Sequence, residues 1–247
     1  MINEETKRKL GELNLDDAVK ALEMQQQDNN YTSMSFDERI QCMVDYVYQE
    51  NYNKTVQRLM KRAVFRIPKA EMNSIFYDGR KLNKDALLEL GTCQFIGKNT
   101  NVVFQGFTGS GKTFLSCALG KQACKQKIRT MYKRLPDLLV EFSESTLVPQ
   151  ATKKLLKKYS SPGLLIIDEW LLEDISLDEQ HFILELIERR HDESSTIFCT
   201  QYKKEDWHAR LGGEMHAEAI LDRIVHNTVW IETGSMNMRE YCAKHGI

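Results

Sequence analysis

A chain of 247 residues, 42 % of them hydrophobic and 28 % charged, has material for one large domain, or for a principal domain with a smaller one beside it. Its formal net charge of −1 excludes a global basic field, so nucleic acid could be met only through local patches. Six scattered cysteines (Cys42, Cys93, Cys117, Cys124, Cys199 and Cys242) form no C-x-x-C pair, which argues against a zinc site or a disulfide framework and for a reducing cytoplasm. The first residues lack the apolar core of a signal peptide, and no run approaches the roughly 18 apolar residues of a membrane span, so no membrane partner is expected.

Residues 1–68 read as a small all-helical N-terminal domain. Leu10, Leu13, Leu15, Ala18, Ala21 and Leu22 recur mostly at helical intervals, as do Ile40, Met43, Val44, Val47 and Tyr48. Asn29–Ser33 separates the two segments, and Ser35 ahead of Asp37 and Glu38 suits the N-cap of the second. From Asn51 to Ala70 there is no acidic residue, but there are Lys54, Arg58, Lys61, Arg62, Arg66 and Lys69, which predicts a basic helix broken at Pro68. Pro68 to Asn99 reads as a connecting stretch with a helix near Lys84–Leu90. Short apolar runs then alternate with amphipathic ones, with strands expected at Asn101–Gln105, Arg129–Tyr132, Leu164–Asp168, Thr196–Thr200 and Thr228–Ile231. That alternation predicts an α/β domain over 69–247, a parallel sheet between helices.

Gly106-Phe107-Thr108-Gly109-Ser110-Gly111-Lys112-Thr113 is a full G-x-x-x-x-G-K-[ST] loop. Val102-Val103-Phe104 supplies the preceding strand, and Phe114 continues into the helix expected as far as Lys127. The glycines let backbone N–H groups turn towards phosphate, Lys112 offsets phosphate charge, and the Thr113 hydroxyl is a Mg²⁺ ligand. These eight residues and Phe114 are the expected ATP-binding set.

Leu164-Leu165-Ile166-Ile167-Asp168-Glu169 is an apolar strand ending in two carboxylates, the Walker-B pattern. Its end lies on the edge of a parallel sheet where phosphates bind, so Asp168 can share Mg²⁺ with Thr113, and Glu169 can take the proton of the attacking water. Ser195–Gln201 is a second strand with polar residues at its end, where Gln201, or Thr200 beside it, can reach the γ-phosphate or the water. Arg223, Arg239 and Arg210 are candidates to meet charge developing on the γ-phosphoryl group. Arg223 lies in a helix that could present it to a neighbouring subunit, and an ordinary surface arginine is the competing reading for each. Lys153, Lys154, Lys157 and Lys158 form a second basic cluster. With Lys54, Arg58, Lys61 and Arg62 they are the candidate DNA contacts, salt-sensitive and largely sequence-independent because no base-reading motif accompanies them. A solvated helix face is the alternative for both clusters.

The order of phosphate loop, LLIIDE, STIFCTQ and AILDRI resembles the IstB helper ATPases of insertion-sequence transposition, which are similar to the helicase loaders DnaC and DnaI in the AAA+ superfamily. The resemblance covers nearly the whole chain. It includes Leu13-Asn14-Leu15, Ser35–Arg39, Cys93-Gln94-Phe95-Ile96 and Trp207. It implies an AAA+ P-loop fold and a Mg²⁺-dependent ATPase, with Lys112, Asp168, Glu169, Gln201 and Arg239 as catalytic residues. Gln201 takes the sensor-1 place, Arg239 that of sensor 2, and Arg223 that of an arginine finger. Relatives commonly carry serine where this chain has Thr200, and Asp-Asp is frequent where it has Asp168-Glu169. The resemblance also implies a homo-oligomer with ATP sites at its subunit interfaces, assembly on double-stranded DNA, and recruitment of a partner transposase. A DnaC-like loader of a replicative helicase is the alternative.

Overall fold

The computed structural model describes residues 3–213 and 215–246. The chain divides into two compact units, Met1–Arg58 and Leu59–Ile247. The division falls inside a helix rather than at the Pro68 boundary expected from sequence, because Ala63 and Phe65 already belong to the core of the second unit.

In the first unit, α1 (Glu4–Glu12) and α2 (Asp16–Gln27) lead through a 3-10 turn, Asn29–Ser33, into α3 (Phe36–Ala63). Ser35 and Glu38 form a reciprocal capping box, with Glu38 N–H donating to Ser35 Oγ at 3.3 Å and Ser35 N–H to Glu38 Oε2 at 2.7 Å. Two buried polar side chains on α2 tie it to α3. Asp17 pairs with Lys54, which holds its carboxyl below the usual range, and Gln25 Nε2 donates to the Arg39 carbonyl at 2.7 Å. The apolar segment from Ile40 to Tyr48 and the basic stretch after it form one 28-residue helix. It stops at Ala63, where Val64 turns left-handed (φ 53°). Arg66 and Lys69 therefore lie beyond the helix, which corrects the expectation of a basic helix running to Pro68.

The second unit continues through α4 (Lys84–Gly91) and α5 (Gln94–Gly97) to β1 (Asn101–Gln105), α6 (Lys112–Lys125), β2 (Thr130–Arg134), α7 (Leu135–Thr146) and α8 (Ala151–Ser160). There follow β3 (Leu164–Asp168), α9 (Leu177–Glu188), β4 (Ser195–Thr200), α10 (Lys204–Arg210), α11 (Met215–Val225), β5 (Thr228–Glu232) and α12 (Met238–His245). The five strands pair in parallel in the order β2-β3-β4-β1-β5. Every expected strand is present, and β2 runs on to Arg134, past the Tyr132 end expected from its apolar residues.

Strand periodicity explains the layers. Val102, Phe104, Leu164, Ile166 and Ile197 face α6 and the segment before α4, while Val103, Leu165, Ile167 and Phe198 face the side packed by α7–α11. Both faces are covered, so β3 and β4 are buried along their whole length. Trp170, Phe198 and Trp207 fill the second face in tilted and edge-on contacts with centroids 4.7–6.0 Å apart.

Candidate nucleotide-binding and hydrolysis site

Parallel pairing brings the C-terminal ends of β1, β3 and β4 to one edge, and a cavity of about 750 Å³ opens there. Thr108, Gly109, Gly111, Lys112, Thr113 and Phe114 line it from the phosphate loop, Asp168 and Glu169 from β3, Gln201 from β4, and Arg239 from α12. Gly106, Phe107 and Ser110 shape the loop: Lys112 Nζ donates to the Gly106 and Phe107 carbonyls at 2.7 and 2.9 Å, and Ser110 is fully buried.

Two glycines are required by the backbone itself. Gly111, at the N-cap of α6, has φ +95°, and Gly109 has φ +89° with the position of a Cβ only 2.4 Å from Asn237 Oδ1. No side chain caps α6, so its first backbone N–H groups lack acceptors within the helix and are available to an anion at its N-terminus. Burial holds the Lys112 ammonium below its ordinary pKa, and nearby Arg239 acts in the same direction, against the opposing field of Asp168.

Asp168 is buried and its oxygens are engaged. Oδ2 accepts from Thr113 Oγ1 and from the Tyr132 hydroxyl, both at 2.7 Å, and Oδ1 accepts from the Glu169 N–H at 2.9 Å. Burial, with the Asp168 charge, pushes the Tyr132 phenol far up, so it stays a donor to Asp168. The hydroxyl and carboxylate that Thr113 and Asp168 bring together are hard oxygen donors, the type Mg²⁺ accepts alongside phosphate and water. Among the described residues no group of three or more His, Cys, Asp or Glu forms a separate metal site.

Glu169 is held by two arginines. Arg66 Nη1 reaches Oε1 at 2.7 Å, and Arg134 reaches Oε2 through Nη2 at 2.7 Å and Nε at 2.8 Å. Burial raises the Glu169 pKa, but these two ion pairs outweigh it and hold the carboxyl below the usual value. The backbone here is strained. Glu169 and Leu171 both have positive φ (57° and 56°), and the turn is fixed by Trp170 N–H donating to the Cys199 carbonyl at 2.8 Å and by Thr200 Oγ1 donating to the Trp170 carbonyl at 3.1 Å.

The two residues at the end of β4 are placed differently. Thr200 is buried, with its hydroxyl committed to the turn, whereas Gln201 lines the cavity and its Oε1 accepts from Thr108 Oγ1 at 3.0 Å. Among the arginines, only Arg239 of the three expected from sequence lines the cavity. Arg210 is committed to the Leu171 and Leu172 carbonyls at 2.6 and 2.9 Å. Arg223 lies on α11 outside the cavity, paired with Glu188 and donating to the Ala219 carbonyl at 2.9 Å.

Lys54, Arg58, Lys61 and Arg62 are exposed on α3, and Lys153, Lys154, Lys157 and Lys158 on α8, whose Leu155, Leu156 and Tyr159 are buried. Lys54 is tied to Asp17, and Lys158 to Glu141 at 2.8 Å. Sequence reasoning missed Arg134 and Tyr132 as site residues. Their signal was the register of β2, which sets Arg134 opposite Asp168 and Tyr132 opposite Ile166.

A strand–loop–helix carrying GFTGSGKT, a parallel β2-β3-β4-β1-β5 sheet and a carboxylate pair at the end of β3 define an AAA+ P-loop nucleotide-binding protein. Solved structures share this fold: DnaI (TM-score 0.56, 16 % identity, 74 % of this chain and 93 % of that one), the replication initiator DnaA bound to AMPPCP and single-stranded DNA (0.59, 18 %, 74 % and 57 %), and the DnaC helicase loader (0.55, 21 %, 66 % and 96 %). Residues 8–245 match the IstB-like ATP binding protein family, and the chain belongs to it. It is 29 % identical over 232 residues to a Sinorhizobium fredii protein named as insertion sequence ATP-binding protein y4uH, across 94 % of this chain and 92 % of the relative. It is 31 % identical over 202 residues to a Pseudomonas fluorescens protein named as the ATP-binding protein of insertion sequence IS1162, across 81 % and 87 %. No described helix is long and apolar enough to cross a membrane.

Proposed function

We propose that this IstB-like protein is a Mg²⁺-dependent ATPase that assembles on double-stranded DNA and recruits and activates a partner transposase. The observation that carries the hydrolytic part is the convergence of Lys112, Thr113, Asp168, Glu169 and Gln201 on one cavity at the sheet edge. Lys112 and the loop N–H groups bind and orient the polyphosphate. Thr113 and Asp168 would hold Mg²⁺, which when bound draws negative charge from the β- and γ-phosphates. Gln201 orients the attacking water and Glu169 accepts its proton as the new P–O bond forms. The bond to the β-phosphate oxygen breaks, leaving ADP with its charge met by Lys112, and Arg239 offsets charge on the γ-phosphoryl group. Before Glu169 can act as a base, its carboxylate must leave Arg66 and Arg134.

Arg223, outside its own cavity, is assigned to a neighbouring subunit's site, so full activity requires assembly. Exposed lysines on α8 and the basic end of α3 supply sequence-independent contacts to DNA phosphates. The transposase assignment rests on kinship with insertion-sequence ATP-binding proteins. A transposase gene directly beside this one supports it, and a primosome gene in that place would favour a helicase loader.

Assembly on DNA is under ATP control in this reading, and anisotropy of a labelled duplex, read with ATP, with ADP and without nucleotide, tests it. Binding is expected to be tightest with ATP and indifferent to sequence, and electron micrographs should show the assembly. Equal binding in all three conditions would remove nucleotide control.

A further inference from the structure

Arg80 lies in the segment between α3 and α4, outside every motif described above. Its Nη2 donates to the Ser110 carbonyl at 2.7 Å and to the Thr233 carbonyl at 2.9 Å, and its Nη1 donates to the Phe76 carbonyl at 3.1 Å. One guanidinium thus joins the lead-in segment, the phosphate loop and the residue that follows β5. Thr233 repeats the tie, with its Oγ1 2.6 Å from Ser110 Oγ and 3.0 Å from the Gln105 carbonyl. A Cβ placed on Gly111 would stand 3.5 Å from Arg80 Nη2, so the guanidinium backs directly on the loop where α6 begins.

Among the described residues nothing balances the charge on Arg80. Its acceptors are backbone carbonyls, no carboxylate among the described residues pairs with it, and its Nε is buried without a protein acceptor. Burial holds its pKa below the ordinary arginine value. Lys112, in the same cavity, likewise bonds only to carbonyls. The arginines beside Glu169 differ, because each has carboxylate partners: Arg66 pairs with Glu169 at 2.7 Å and lies 4.0 Å from Asp168, and Arg134 pairs with Glu169 at 2.7 Å and with Asp137 at 3.5 Å. A half-buried cation without a countercharge is costly, and an anion entering beside it lowers that cost. A di- or triphosphate group is such an anion.

We propose that Arg80 is a positioning residue for the polyphosphate: it sets the Ser110 carbonyl, and with it the loop N–H groups, and adds unbalanced positive charge at the loop end of the cavity. This rests on reading the cavity as the nucleotide site. Adenosine, which carries no phosphate, should be indifferent to Arg80, while ADP, ATP and inorganic pyrophosphate should all depend on it.

The test is titration of wild type, Arg80→Gln and Arg80→Lys with a fluorescent ADP, its displacement by ATP, pyrophosphate and adenosine, and thermal melting with and without pyrophosphate. Arg80→Gln should weaken ADP, ATP and pyrophosphate together by about 10- to 100-fold, the range for hydrogen bonds involving a charged group, and leave adenosine within about 2-fold. Arg80→Lys keeps the charge and loses the paired carbonyl bonds, so it should fall between the two, and it serves if Arg80→Gln does not fold. Wild-type pyrophosphate affinity in both variants would overturn the proposal. So would an equal loss for adenosine and pyrophosphate with a lowered melting temperature, which marks a latch of the fold alone. If wild type bound neither ADP nor pyrophosphate, the nucleotide site itself would fall, and this inference with it; normal wild-type binding with unaffected variants sinks only the role of Arg80.

Discussion

In the Leu59–Ile247 unit, alternate residues of β1, β3 and β4 fill two opposed cores, and the side chains at the strand ends are held in a closed set of hydrogen bonds and ion pairs. The Met1–Arg58 unit buries only Ala18, Ala21 and Val56 among its described apolar side chains, ties α2 to α3 through Asp17 and Gln25, and leaves Phe36, Val44 and Tyr48 exposed. Chemistry in the first case fixes each residue through its neighbours, so small changes there should have large effects. The second is a small helical surface in which most positions answer to solvent, and changes there should leave the nucleotide site untouched.

Graded substitutions can break that contrast. The largest effect is expected from Lys112→Ala, which removes the ammonium bonded to the Gly106 and Phe107 carbonyls and should weaken ATP at least about 100-fold in a fluorescence titration. Glu169→Gln should bind ATP near normally but release phosphate about 10²- to 10⁴-fold more slowly. Replacing Lys153, Lys154 and Lys157 on α8 by glutamine should weaken duplex DNA about 10-fold and lower the salt slope by about 3, with ATP affinity unchanged.

Arg66→Ala has a smaller effect with a defined sign. Arg134 and Arg66 hold the Glu169 carboxyl below the usual value, so wild type keeps its base ionised to lower pH than an isolated glutamate would. Without Arg66 that pKa rises, and the acid limb of kcat/KM should move to higher pH; an unmoved limb would dissociate Arg66 from the base. Smallest of all, Val44→Ser on α3 should change unfolding free energy by no more than about 0.5 kcal/mol and leave nucleotide affinity unaltered. A large loss of ATP binding in that variant would erase the distinction between the two units.

The same contrast explains what was legible in the sequence. The phosphate loop and Leu164–Glu169 could be read because their spacing is dictated by phosphate and by a buried strand, and β1 and β3 begin and end where periodicity places them. The partners of Glu169 could not be read so directly. Arg66 falls in a basic run that looks like the continuation of α3, and only the left-handed turn at Val64 shows that it leaves the helix. Arg134 was hidden because Lys133 and Arg134 lack the apolar character that marks the first part of β2, although parallel register carries them to the same edge as Asp168. The different placement of Thr200 and Gln201 likewise involves a hydrogen bond, Thr200 Oγ1 to the Trp170 carbonyl, that no pattern of residue types encodes.

Phosphate release from ATP by wild type and Glu169→Gln, followed across protein concentration with and without duplex DNA, bears most directly on the claim that one sheet edge forms a hydrolytic site completed by assembly. Wild-type turnover per subunit should rise with concentration and further with DNA, and Glu169→Gln should stay near background throughout. Turnover that is flat in both protein and DNA, or that survives in Glu169→Gln, would contradict it.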